Sequence, residues 1–153
     1  MFKEMRRNDR EISLAEAEEI LKKCSYGTLS TIGEDGYPYG VPVSYAYADG
    51  KIYFHCAKGV GHKVENMEYN NKVCFSVVGD TETLPEKFST KYESAIVFGT
   101  AKPAEDVKGA LMKLIEKYSP DYLESGTEYV NSSWERTGVY EITAQRITGK
   151  ARR

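Results

Sequence analysis

The two histidines of this sequence, His55 and His62, lie in one segment, FHCAKGVGHKVEN. Between them, Gly59 and Gly61 take Cβ atoms off the backbone and let a ligand approach it closely. His62 and Lys63 then open an expected short helix, whose free N–H groups and positive end attract anions. Lys63 adds a full charge, and phosphate is the guest that suits such a set. A plain turn carrying a solvated lysine and a surface histidine has the same residues, and so short a motif does not separate the two readings. The segment is not a dinucleotide fingerprint, because Val64 stands where the third glycine is needed. No GxxxxGK[ST] loop occurs.

Other chemistries find less support. His55, Cys56 and His62 imitate a metal set, but no carboxylate or second cysteine completes the spacing, so no metal is expected. A serine nucleophile would need a GxSxG elbow, which is absent. Nothing marks an activated thiol. Cys24, Cys56 and Cys74 are odd in number and widely spaced, which reads as reduced, buried thiols rather than a disulfide framework. Taken alone, Trp134 reads as packing and Arg136 as a surface ion pair. Arg6-Arg7 and the run from Lys150 to Arg153 read as solvated tails.

These residues must be positioned by the elements around them. Ser13 and Glu16 form a capping-box pattern, and Leu14–Lys23 follows as an amphipathic helix. Tyr26–Ile32 reads as a strand and Gly33–Gly36 as a turn. Tyr37–Ala48 reads as a strand that Pro38 and Pro42 force to an edge or a bend. Asp49-Gly50 is a hairpin signal. Lys51–Ala57 alternates, with Ile52, Phe54 and Cys56 facing one way and Tyr53 and His55 the other. Lys58–Gly61 is a loop, and a short helix covers Val64–Tyr69. Strands are expected at Val73–Val78 and Tyr92–Ala101, with Gly99 at a bulge or close approach. Gly79–Lys91 is expected as a loop. Pro103 opens a helical region that carries Val107, Ala110, Leu111, Leu114 and Ile115 at helical spacing and stops at Pro120. Glu128–Trp134 is a further short helix, and Val139–Ile142 and Ile147–Lys150 are closing strands.

The tally is about six strands, mostly joined as hairpins, with a few helices. It points to a mainly β fold, an antiparallel barrel with flanking helices, and not to a doubly wound parallel sheet. The 153 residues suffice for one domain, residues 1–153, with a core that needs no disulfides. Lys and Arg number 21 against 23 Asp and Glu, a net charge of -2, which argues against nonspecific nucleic-acid binding. No apolar run would span a membrane, and the N-terminus lacks the apolar stretch of a signal peptide, so a cytoplasmic protein is expected. The twelve tyrosines suit half-buried strands and interfaces.

Four motifs in order, covering nearly the whole chain, carry a resemblance. They are the first helix running into YGTLSTIGEDGYPYGVPVSYAY, then DGKIYFHCAKGVGHKVENMEYNNKVCFSVVGD, then KYESAIVFGTAK, and finally SSWERTGVYEI with ITGKARR. The sequence resembles the FMN-binding split-barrel flavoproteins related to pyridoxamine 5'-phosphate oxidase, in particular their nitroimidazole-resistance (Nim-type) branch. The resemblance implies a six-stranded antiparallel split barrel and a homodimer with FMN in grooves between subunits. It implies that Pro42, Val43, Ser44 and Tyr45 line the isoalloxazine, largely through backbone. His55, Cys56 and Ala57 would pass beside the ring and ribityl chain, and Gly61, His62 and Lys63 would hold the phosphate. Asn66 and Met67 would lie near the same groove, and Ser94, Trp134 and Arg136 would approach from the partner subunit.

The implied activity is reduction of small nitroaromatic or heterocyclic compounds, with electrons reaching FMN from NAD(P)H or another donor. The cofactor carries the redox chemistry and the protein tunes it. His55 is the expected catalytic residue, as a proton relay. The chain lacks the longer basic segment used for pyridoxal phosphate, which argues against vitamin B6 oxidation. Two alternatives remain open: a flavin-binding module with little turnover, and a split barrel holding haem or a deazaflavin.

Overall fold

The computed structural model describes residues 1–153. Strand β1 (Glu11–Ile12) precedes helix α1 (Leu14–Lys23), and β2 (Gly27–Ile32), β3 (Pro38–Val43), β4 (Ala46–Ala48) and β5 (Lys51–Ala57) follow. Helix α2 (His62–Tyr69) separates these from the long strands β6 (Lys72–Leu84) and β7 (Ser89–Pro103). Helices α3 (Val107–Tyr118) and α4 (Leu123–Ser133) then lead to β8 (Thr137–Arg152). No helix is long and apolar enough to cross a membrane.

The sheet runs in the order β3-β2-β6-β7-β8-β5-β4, with β1 added to β8, and every pairing is antiparallel. Its two end strands, β3 and β4, are joined by Ser44 and Tyr45 alone. The sheet must therefore curl until its ends meet at that corner, which makes it an antiparallel split barrel with flanking helices. Six long strands form it, as expected. The short strands β1 and β4 raise the number to eight.

Local chemistry accounts for the elements. Ser13 accepts from the Glu16 N–H at 3.2 Å while Glu16 accepts from the Ser13 N–H at 3.0 Å, a complete capping box. Asp49 and Gly50 both adopt positive φ (49° and 77°), the turn that matches strand twist in a two-residue hairpin. At Gly99 a Cβ would sit 2.3 Å from the Thr143 carbonyl oxygen, and the β7–β8 register slips between Phe98 and Gly99. The expected bulge and close approach are thus one feature.

Three expectations change. Gly79–Lys91 is not a loop: β6 and β7 continue as a two-stranded arm, pairing Glu82 with Lys91 and Leu84 with Ser89, around a 3₁₀ turn at Pro85–Lys87. The strands expected at Val139–Ile142 and Ile147–Lys150 are one strand, β8, which continues through the bulge opposite Gly99. The Tyr37–Ala48 strand is divided at Ser44–Tyr45.

Two apolar clusters form. The barrel interior holds Leu21, Leu29, Tyr45, Ile52, Phe54, Phe75 and Ile142, none of them exposed to solvent. A smaller cluster lies outside the sheet, where Ala110, Leu111 and Leu114 of α3 and Val130 of α4 pack on Ala46, Ala104 and Val139.

Candidate functional site

The corner of the barrel, the end of β5 and the start of α2 supply the candidate residues. On β3, burial alternates: Val41 and Val43 are half-buried and Pro42 is exposed. Ser44 is exposed, whereas Tyr45 turns fully inward. Its ring meets Phe75 edge-on at 4.7 Å, and its hydroxyl donates to the Leu21 carbonyl at 2.5 Å. Burial pushes the Tyr45 phenol far up, so it stays protonated. The corner therefore offers Pro42 and Ser44 outward, with Tyr45 as an internal anchor.

Strand β5 follows the expected alternation. Ile52 and Phe54 are in the core, and His55 and Ala57 are exposed. Cys56 is half-buried. Burial pushes its thiol up, and nearby Lys63 partly counters this, so Cys56 is a poor nucleophile. The following loop carries Gly59 at φ 73° and Gly61 at φ 114°. A Cβ at either position would meet nothing within 4 Å, so backbone conformation rather than crowding calls for glycine there.

Gly61 is the N-cap of α2 and gives no side-chain cap. The first helical bond runs from the Glu65 N–H to the Gly61 carbonyl at 3.0 Å. The N–H groups of His62, Lys63 and Val64 consequently have no acceptor within the helix. His62 stacks on Tyr39 of β3, ring centroids 3.9 Å apart, which fixes the helix start against the edge strand. The glycine loop, the free N–H groups of the uncapped helix start and Lys63 form a donor set chemically suited to a phosphate.

Asn66 and Met67 lie beneath this surface. Asn66 is 5% exposed and donates from Nδ2 to the Thr31 hydroxyl at 3.0 Å, while Met67 packs in the barrel core. They anchor α2 to β2. Trp134 and Arg136 lie beside the site within the same chain, because Thr137 pairs with Ala57 and Lys58 donates to the Glu135 carbonyl at 2.6 Å. Trp134 packs against the outer cluster under Lys108, and Arg136 donates to the Ser132 carbonyl.

Ser94 is elsewhere. It pairs with Lys150, near the opposite end of β8 from Thr137, a separation of ~40 Å along the strand. It lines a cavity of about 230 Å³ with Lys3, Ile96, Phe98 and Arg146 on the outer sheet face.

Sequence reasoning missed Tyr39, Lys58, Lys117 and Tyr118 around this site. Tyr39 had a usable signal, the alternation of β3. Lys58 lies inside the glycine-bearing segment itself, whereas Lys117 and Tyr118 reach Tyr45 across 72 and 73 positions and carried no signal.

No curated protein is similar in sequence. A protein of Bacteroides thetaiotaomicron, provisionally described as a 5-nitroimidazole antibiotic resistance protein, has the same fold, with TM-score 0.78 and 23% identity over 92% of this chain and 85% of that one. The conserved hypothetical protein Rv2991 of Mycobacterium tuberculosis superposes with TM-score 0.81 and 22% identity, over 97% and 90% of the two chains. A FAD and haem binding protein of Mycobacterium smegmatis gives TM-score 0.76 and 17% identity, over 93% and 73%. The sequence profile of the pyridoxamine 5'-phosphate oxidase family matches residues 13–151, from the α1 cap to the last residues of β8, and the chain belongs to that family.

Proposed function

We propose that the chain is a cytoplasmic FMN-dependent oxidoreductase that reduces small nitroaromatic or heterocyclic compounds. The observation that carries the reading is a row of groups along β3, from the Pro42–Ser44 corner to Tyr39, whose ring stacks on His62. The outward backbone of Pro42–Ser44, the exposed end of β5 and the free N–H groups at His62 and Lys63 lie on neighbouring elements. Gly61, His62 and Lys63 hold the phosphate. Pro42, Val43 and Ser44, with Cys56 and Ala57, line the ring and ribityl chain. FMN supplies the two-electron redox chemistry when bound. His55, exposed on β5 beside these groups, exchanges the proton with the substrate.

The working unit in this reading is a homodimer. Val78, Ile96 and Phe98 are exposed apolar residues on the outer faces of β6 and β7, with the Phe2 ring stacked on Phe98, and a second copy on this face would remove them from water. Ser94 lies on the same face and reaches a flavin only from a second copy.

A second reading is a flavin carrying an adenine. The Tyr39–His62 stack beside the phosphate donors favours it, as does the FAD and haem binding relative of like fold.

The test is the absorbance spectrum of the purified protein before and after addition of FMN, with chromatography of the released cofactor. A retained FMN spectrum, reduced by NADH or NADPH and reoxidised by a nitroimidazole faster than by oxygen, is the expected result. Retained FAD selects the second reading. A Soret band, or no retained chromophore, overturns both.

A further inference from the structure

The Ser44–Tyr45 corner has a structural problem that the sheet does not solve. The β3 ladder ends where Val43 pairs with Gly27, and the β4 ladder begins where Ala46 pairs with Tyr53. Tyr45 is fully buried between them, so its backbone N–H and C=O need partners that no strand provides.

The last turn of α3 provides them. The Tyr45 N–H donates to the Tyr118 hydroxyl at 2.9 Å. The Tyr45 carbonyl accepts from the Tyr118 hydroxyl at 2.7 Å and from Lys117 Nζ at 3.0 Å. The same two side chains reach the end of α1: Lys117 Nζ donates to the Cys24 carbonyl at 2.6 Å, and the Tyr118 hydroxyl lies 2.5 Å from the Ser25 carbonyl. The hydroxyl has one hydrogen, which the Ser25 and Tyr45 carbonyls share. Lys117 Nζ also stands over the Tyr45 ring, 3.8 Å from its centroid. A cation at the C-terminal end of α1 suits the helix dipole.

We propose that Lys117 and Tyr118 are positioning residues that hold the Ser44–Tyr45 corner in the conformation that presents the Pro42–Ser44 backbone to the flavin. The inference rests on the flavin reading of that corner. It gives α3, which lies outside the barrel, a part in binding. The packing of Leu111 and Leu114 on Val130 places the last turn of α3, and that turn fixes the corner. The two residues act through the backbone of Tyr45 and touch no substrate.

The experiment compares Tyr118→Phe, Lys117→Met and the exposed neighbour Glu116→Gln with the unaltered chain. Amide hydrogen exchange is read at Tyr45 and Phe54, and FMN affinity and the visible spectrum of bound FMN are read on the same samples. In Tyr118→Phe, the Tyr45 amide loses its acceptor and exchanges at least about tenfold faster, while Phe54, within β5, keeps its rate. FMN affinity falls about tenfold in both clamp variants, the size expected for one lost hydrogen bond, and the flavin band shifts. Glu116→Gln changes none of these.

Unaltered Tyr45 exchange in both clamp variants overturns the clamp. Faster exchange with unchanged FMN affinity and spectrum overturns the positioning role. If the unaltered chain takes up no FMN, the flavin reading fails, and exchange on that chain still decides the clamp.

Discussion

The two apolar clusters of this protein are built differently. The barrel interior is closed by large, fully buried side chains, including Phe54, Phe75, Tyr45, Leu21 and Leu29. The cluster under α3 and α4 uses Ala46, Ala104 and Ala110, with Leu111 and Leu114 still 9% and 7% exposed. Small residues let the helices approach the sheet closely but bury little area per side chain. The barrel should therefore carry most of the stability, and the α3–α4 hairpin should open at lower cost. The candidate site takes parts from both: its strands belong to the barrel, and the support of its corner belongs to α3.

A matched pair of truncations tests this difference between the two clusters most directly. Phe75→Ala empties the barrel centre and removes the ring on which Tyr45 rests. It should cost ~3–5 kcal/mol in urea unfolding. Leu114→Ala should cost about 2 kcal/mol, the low end for such truncations, because its site is partly open and can relax. Its effect should be local, raising protease cleavage within α3–α4 before the barrel unfolds. Equal losses, or a single cooperative transition in both variants, would show that the clusters fold as one unit.

How much of this was legible follows from the range of the interactions. Helix α1 was readable to the residue because its capping box is local, and β5 because its inward and outward residues alternate without interruption. The arm formed by β6 and β7 was not readable. Its residues, from Asp80 to Thr90, are mostly polar and exposed, and Pro85 at the tip reads as a loop signal. The bulge beside Gly99 broke the alternation of β8 and made one strand look like two. At the site, the glycine turn and Lys63 stood out because they are contiguous. The clamp did not, because Tyr118 meets Tyr45 across 73 positions and neither residue is unusual in its own neighbourhood.

A smaller effect is expected at the seam between the two clusters. Glu141 of β8 is buried, accepts from Lys51 Nζ at 2.7 Å and from the Glu105 N–H at 3.0 Å, and so ties the sheet to the entrance of α3. Burial works to raise its carboxyl, but the Lys51 bond, the Glu105 N–H and the charges of Lys51 and Lys102 together hold it below the ordinary value of 4.5. A carboxyl depressed in the folded state stabilises above its unfolded pKa, and that contribution is lost as pH falls through the folded one. Glu141→Gln should therefore lower stability at pH 7 and flatten its dependence on acid below pH 4.5, read by thermal unfolding across that range. An unchanged acid limb would mean that other carboxylates govern acid unfolding.

The smallest effect concerns Lys117, and its sign is opposite to that of an ordinary ion pair. Burial pulls its ammonium from 10.5 down to about 8, with the neighbouring Cys24 a minor opposing influence. Below pH 8 both folded and unfolded chains hold the proton, and the folded chain bears the cost of burying the charge. Between about 8 and 10.5 the unfolded chain keeps the proton that the folded chain has released, so unfolding takes one up and stability rises with pH. A neutral amine still has two N–H groups for the Cys24 and Tyr45 carbonyls, so the clamp survives deprotonation while the attraction to the Tyr45 ring is lost. The stability of the unaltered chain relative to Lys117→Met should thus shift in favour of lysine between pH 7 and pH 10, measured by urea unfolding of both proteins in matched buffers. A difference that stays constant with pH would mean that the buried ammonium is as well served by its two carbonyls and the ring as by water, and that the α3 end of the site is a permanent cationic cap on α1.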